Sequence, residues 1–404
     1  MILRDLIEAI AKFAGDTWEV MVDEIRNIAS DWGVLLFLVG AFGSYPLLYP
    51  FIYINELVRE VPVAVVDLSN TASSRQLIRM LDSTESVTVS RQLTGLEEAK
   101  RDFFAGQISG IMVVPEDFEE RILRNQQTSV LAYLDASYFM VYRQVLRGIS
   151  LASGTMSAGI EIKRLSAKGL SEEAANSARD PLRLSSVALF NPAGGYATYV
   201  MIGIMFSLLQ QSLLIGIGLL GGTARERDAS HYLIPPGFEN KGVLPVLLGK
   251  GLPFFLLYAL HAIYIFMIVF KVFDYPMRGS LGLSAFVVFS FLAALIALGF
   301  TMASLFRYRE TAIPLLLAIS LPSVLSSGFS WPVEAIPPVL RFLTCFIPGV
   351  PGTDAMIRVS QMGAGLHDVS TPLIMLWGQV LLYSTCSILI VRRILRRQRE
   401  GIEM

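Results

Sequence analysis

The chain has 404 residues, of which 53% are hydrophobic and 17% charged, with a formal net charge of −1 and a mean hydropathy of +0.55. Soluble globular proteins carry about 25% charged residues, so an ordinary soluble enzyme and a disordered chain are both excluded. The near-zero net charge offers nothing for nucleic acid to hold. The shortage of charge is confined to stretches of twenty or more residues. That is the profile of a polytopic α-helical membrane protein in a lipid bilayer, with an inserted extramembrane domain.

Residues 1–31 read as a cytoplasmic amphipathic helix. Leu3, Leu6, Ile7, Ile10, Phe13, Ala14, Trp18, Met21, Val22, Ile25 and Ile28 recur at three-to-four spacing, and the polar face includes Asp5, Glu8, Asp16, Glu19, Asp23 and Glu24. The pattern is not that of a cleavable signal peptide. Such a helix lies in the interface plane or packs on the bundle or a partner. The first span follows at 32–54, with Pro46 and Pro50 in its outer half.

The insert, 55–190, alternates strand and helix signals and is expected to form an α/β domain over a mixed sheet. Strands are expected at 61–67, 87–93, 108–114, 128–134 and, returning, at 181–189. Helical spacing marks 73–81, 95–104, 116–125 and a long connecting helix from 138 to about 168. Asp67, Asp82, Asp117 and Asp135 stand at element ends, where they read as caps, turn formers and surface charges. The insert contains no cysteine and no nucleophile motif, so a binding or docking module is expected rather than an enzyme.

Residues 191–391 carry five further spans, at 196–220, 246–270, 281–305, 311–329 and 372–391, for six in all. A coupling loop is expected at 221–243, where Arg225, Glu226, Arg227 and Asp228 form a knot of mixed charge and Leu233 and Ile234 precede the Pro235–Pro236 stop. A short helix in this loop would present charged and apolar faces parallel to the membrane. The segment 326–352 is too apolar for a free loop and too rich in proline for a span. A pair of short re-entrant helices fits it, with Trp331 as an interface anchor. Gln210, Gln211 and His261 are polar residues within spans and candidates for a substrate path, the other reading being hydrogen bonds between helices. Lys250 is close enough to a span end to snorkel. Residues 392–404 form a basic tail.

Orientation follows from Lys and Arg in the short loops. Arg4, Lys12, Arg26, Arg225, Arg227, Lys241, Arg307, Arg309 and the tail arginines fall on one side; only Lys271, Arg278, Arg341 and Arg358 fall on the other. Both termini are therefore expected in the cytoplasm, and the insert outside it.

In their order and spacing, these segments resemble the permease subunit of type-2 ATP-binding-cassette (ABC) exporters, in the branch with a large domain between the first two spans. The residues that carry the resemblance are VPVAVVDLSNTASSRQL, Phe190–Pro192, Arg225–Asp228 with Leu233–Pro236, Leu248–Lys250, SSGFSWPVEAIPP and FIPGVPGTDAMIR. The resemblance implies a multi-pass protein of the bacterial inner membrane that moves a substrate out of the cytoplasm or membrane. It implies ATPase coupling through Arg225, Glu226, Arg227 and Asp228. Its partners would be a cytoplasmic ABC ATPase, a second permease copy and a periplasmic adaptor. The sequence contains no GxxxxGK[ST], so ATP is expected to serve the partner ATPase, with no cofactor bound by this chain. The competing reading is a membrane-anchored sensor or scaffold whose outer domain binds a ligand or periplasmic partner.

Overall fold

A computed structural model describes residues 2–182, 184–192, 194–228, 231–234 and 237–399. Of the expected features, Ala229, Ser230, Pro235, Pro236, the end of the tail at 400–404 and the side chain of Asp228 lie outside the described residues. The chain divides into two compact units, Met1–Glu56 with Ala188–Met404, and Leu57–Val187.

The first unit begins with helix α1, Ile2–Ser30. Helix α2, Trp32–Gly40, and helix α3, Gly43–Ile52, follow with a bend of 42° between them. Asp31 caps α2, accepting from the Val34 backbone N–H at 3.1 Å. The helix ends in a π stretch at Leu36–Gly40, and α3 carries Pro46 and Pro50.

The second unit is a mixed four-stranded sheet with helices. Its elements are β1 Val61–Asp67, α4 Ala72–Asp82, β2 Val87–Leu93, α5 Leu96–Phe104, β3 Gly110–Val114, α6 Phe118–Leu123, β4 Leu131–Leu134, α7 Phe139–Ala167 and α8 Glu172–Arg179. The strand order is β2-β1-β3-β4. β1 runs parallel to β2 and β3, and β4 runs antiparallel to β3. Side chains alternate across β1: Val61, Val63 and Val65 pack with Leu77, Leu81, Val145 and Ile149, while Ala64 and Val66 pack with Ala99, Ile108 and Ile111 on the other face. A strand buried on both faces reads as a continuous apolar run, which is why VPVAVVD carries no polar residue until its end.

The aspartates close turns and caps. Asp67 accepts from the N–H groups of Ser69 and Asn70 and from the Ser74 hydroxyl. Asp82 accepts from the Val89 N–H at 2.8 Å, and Asp135 from the Ser137 N–H at 2.9 Å. Asp117 pairs with Arg121 one turn on. The long helix α7 packs its face of Val145, Gly148, Ile149, Ala152 and Met156 into this unit's core. The returning strand expected at 181–189 does not form. Residues 184–189 are irregular and pair with no strand among the described residues, leaving Leu184 87% and Val187 77% exposed. Alternation supplies an apolar face but no partner edge, so the pattern alone misled.

The first unit resumes with α9 Tyr196–Asp228. A continuous helical run, α10, covers Val243–Val272. Then come α11 Leu281–Ala303, α12 Arg309–Ser326, α13 Pro338–Thr344, α14 Gly349–Ser360 and α15 Ser370–Arg399. Among the described residues, four helices are long and apolar enough to cross a membrane, at Tyr196–Arg227, Val243–Val272, Leu281–Ala303 and Ser370–Arg396; counting α2 and α3 as one bent span gives five. α12, where a sixth span was expected, opens on the charged pair Arg309–Glu310 and contains Pro314 and Pro322. Its 18 residues reach about 27 Å, a little under the roughly 30 Å hydrocarbon core. The segment 326–352 forms a short 3-10 turn at Val333–Ala335, then α13 and the start of α14.

α9 is the centre of this unit, and α12 lies along it. Gly218 and Gly222, one helical turn apart, let the two backbones approach. A methyl group at Gly222 would stand 2.5 Å from the Arg309 Cα and 2.6 Å from its backbone nitrogen; at Gly218 it would stand 2.9 Å from Leu316 Cδ1. Gly222→Ala is expected to destabilise the protein by about 1–3 kcal/mol, the usual range for overpacking. Gly282→Ala, where nothing lies within 4 Å, should be silent. Thermal unfolding in lipid nanodiscs compares the two, and equal midpoints would contradict the close approach of α9 and α12.

Candidate functional site

The charged run Arg225–Asp228 is the last turn of α9, which continues past the span end expected at 220. No separate helix forms between 231 and 242 among the described residues. His231 and Ile234 close a single bridge instead, and Tyr232, Leu233 and Ile234 are buried in the bundle core. The apolar residues of this loop therefore hold it against the bundle. Within the run, Arg225 is half-buried beside the His231 ring, its Nη2 3.2 Å from Nε2, while Glu226 and Arg227 are exposed.

Glu226 accepts from the Arg309 backbone N–H at 2.8 Å. The Arg309 guanidinium grips Asp31 with both terminal nitrogens, the Nη2 contact to Oδ1 being 2.7 Å. It also donates to Thr223 Oγ1 at 2.6 Å. Bidentate pairing of this kind fixes orientation as well as charge. Gly33 makes room for it, since a methyl group there would lie 2.5 Å from Arg309 Nη2. The start of α2, the end of α9 and the start of α12 are thus tied at one point.

A second cluster lies alongside. Lys250 on α10 and Glu24 on α1 are both fully buried, with Nζ 2.6 Å from Oε2. The Tyr232 hydroxyl donates to the other Glu24 oxygen, and the Lys250 ammonium sits 4.1 Å from the Tyr232 ring centre. Burial, and then the Glu24 carboxylate, push the Tyr232 phenol well above its ordinary value, so it remains a donor. Close by, Lys241 pairs with Asp16 and Glu19. Lys250 does not snorkel, and Glu24, on the polar face of α1, is buried, as packing of this helix on the bundle requires. The helix instead turns Val20, Glu24 and Ile28 inward and leaves Leu6, Ile7, Ile10 and Trp18 exposed. The sequence did carry a signal for this: Val20, Glu24 and Ile28 share one helical face, and a lysine within a span needs a counter-charge.

The opposite ends of the helices converge as well. The Thr198 hydroxyl donates to Glu56 at 2.9 Å, Gln361 donates to the Thr198 carbonyl, and Arg278 donates to the Gln361 carbonyl at 3.3 Å.

The candidate substrate-path residues occupy different surroundings. Gln210 is a buried crosslink: its Nε2 donates to Ser323 Oγ at 3.1 Å and its Oε1 accepts from the Gly349 N–H at 2.7 Å. It thereby joins α9, α12 and α14, the helix-to-helix role that sequence alone left open. Gln211 is half-buried. His261 is 9% exposed, edge-on to Tyr258 at 5.1 Å between ring centres, and the Tyr258 hydroxyl donates to Ser212 at 2.8 Å. An apolar cleft of about 370 Å³ runs between α10, α11 and α15, lined by Leu247, Phe255, Phe289, Phe300 and Ser387 among others; Gln210, Gln211 and His261 do not line it. Trp331 is 57% exposed in the segment before α13.

The Arg309 hydrogen bond holds the Asp31 carboxyl below its usual range. A carboxyl depressed in the folded state contributes stability above its unfolded pKa and loses it as pH falls toward the folded value. Asp31→Asn keeps a capping side chain but removes the charge, so a cost of about 1.5–3 kcal/mol at neutral pH is expected. Thermal midpoints measured from pH 7 to 3 should converge between wild type and variant at the acid end. A gap that is constant across this range would refute the pairing.

Two comparisons bear on what this arrangement is. The probable multidrug ABC transporter permease YbhS of Escherichia coli (strain K12) is 23% identical over 246 residues, covering 60% of this chain and 62% of that protein. The ABC transporter G family member 20 of Dictyostelium discoideum is 21% identical over 327 residues, covering 80% of this chain and 43% of that protein. The chain thus spans roughly half the length of these relatives. The family described as ABC-2 family transporter protein matches residues 32–389, which is most of the sequence. With its apolar helices and its paired helix ends, the chain is a multi-pass membrane protein belonging to the ABC-2 transporter family.

Proposed function

We propose that the chain is the membrane-spanning permease subunit of an ATP-driven ABC exporter, moving a substrate out of the cytoplasm or the inner membrane. Energy comes from a separate cytoplasmic ATPase, and this chain binds no cofactor. A second permease copy completes the path. In this reading both termini are cytoplasmic, the second unit is extracytoplasmic and available to a periplasmic adaptor, and Trp331 anchors at the outer interface.

The observation that carries the reading is the exposed last turn of α9. Glu226, beside the exposed Arg227, accepts from the backbone of Arg309, whose side chain pairs with Asp31, so α9, the start of α12 and the start of α2 meet at this turn. A protein pressing on this turn moves α9 and, through Glu226 and Arg309, the starts of α12 and α2. Closure of an ATPase dimer on ATP supplies a differential contact that biases such a bundle between two states. Six spans and substrate contacts at Gln211 and His261 belong to the same proposal, with Gln210 as their fixed neighbour. The names of the two relatives support a transport role.

Glu226 is bonded within the bundle, so Arg227→Ala is the cleaner test of coupling. An ATPase with Walker motifs should co-purify with the wild-type chain, and ATP hydrolysis by the pair in proteoliposomes should fall severalfold in Arg227→Ala while membrane insertion stays intact. Glu226→Ala should add a stability loss. If no such ATPase co-purifies, or if both variants hydrolyse ATP as the wild type does, the coupling role is wrong.

A further inference from the structure

The second unit contains a cavity of about 520 Å³ between α4, α6, the loop before β4 and α7. This is within the range of roughly 300–1,000 Å³ over which proteins hold small molecules. Its apolar wall is built from Leu77, Phe118, Ile122, Met156 and Ile160. The loop that closes it turns at Asn125, which holds a left-handed φ of 57°, and Gln126 is fixed by an N–H donated to the Arg121 carbonyl at 2.8 Å. The opening is therefore built into the fold rather than being a gap between side chains.

The cavity also carries a charge: among the described residues, Arg164 is the one charged side chain in its lining. Its guanidinium donates to the Ile122 carbonyl at 2.9 Å, and its other terminal nitrogen is 3.7 Å from Glu161, a loose contact. A guanidinium has five N–H donors, so several remain for an occupant.

We infer that this cavity binds a small organic anion with an apolar body. The acid group meets Arg164, and the body lies on the Phe118–Met156 wall. The inference uses this unit alone and does not depend on the transport reading.

The test is equilibrium dialysis of 2-naphthoate against the full chain in lipid nanodiscs, with empty nanodiscs and the neutral 2-naphthalenemethanol as controls. Saturable binding of one equivalent is expected for the wild type, with the neutral compound at least tenfold weaker. Arg164→Gln keeps a donor for the Ile122 carbonyl and should weaken naphthoate at least tenfold, while Ser153→Phe should fill the cavity and abolish binding. Naphthoate retention no greater than in empty nanodiscs, equal affinity for the neutral compound, or undiminished binding in both variants would each overturn the assignment. The comparison of acid and alcohol on the wild type decides the matter even if a variant fails to fold.

Discussion

A lysine ammonium among apolar helices has no stable place without a counter-charge, and the packing of the helix ends around α1 follows from how Lys250 finds one. Its partner, Glu24, lies 226 residues away in sequence on the N-terminal helix. Taking either charge out of water is expensive, and their attraction offsets that expense only when the geometry is tight and the remaining lone pairs are used. Both conditions are met: the contact is 2.6 Å, and the second carboxylate oxygen accepts from Tyr232. The pair therefore fixes α1 on α10 and draws the loop between α9 and α10 inward with Tyr232. The close fit extends to Gly249, where a methyl group would stand 2.6 Å from Val20 Cβ.

Once α1 is held in this way, further acids along and just past it find partners. Asp16 and Glu19 hold Lys241, and Asp31, just beyond the helix, holds Arg309. Part of the acidity that an anionic membrane surface would repel is thus matched by cations of the same chain. The apolar residues left outward, Leu6, Ile7, Ile10 and Trp18, form the face that a bilayer interface would accept. The ion pairs make a fixed base at these helix ends, and the last turn of α9 presents Glu226 and Arg227 from it.

Much of the architecture was legible because its causes are local. VPVAVVD is buried on both faces of a parallel strand, so it appears as a plain apolar run, and β1 occupies the expected residues. The apolar helices follow from their length, and Thr71 with Ser74 forms the capping box that starts α4. What failed depended on partners distant in sequence. The alternation at 181–189 found no sheet edge. The pairing of Glu24 with Lys250 spans 226 residues, so neither residue's own surroundings in the sequence show it. For Gln210 the sequence left both a substrate path and a helix-to-helix bond open, and its amide bonds to Ser323 and Gly349, neither of which is near it in the chain. The exposed pair Glu226–Arg227 was legible from charge density, but its tie to Arg309 was not.

The most direct measurement is a double-mutant cycle on the buried pair, using Glu24→Leu, Lys250→Met and their combination, read as unfolding free energy in lipid nanodiscs. Each single change strands a buried charge and should cost about 3–5 kcal/mol, while the double change, which strands none, should recover most of that loss. Near-neutral single changes, or a double variant whose loss is the sum of the two, would mean that the N-terminal helix is not held by this pair.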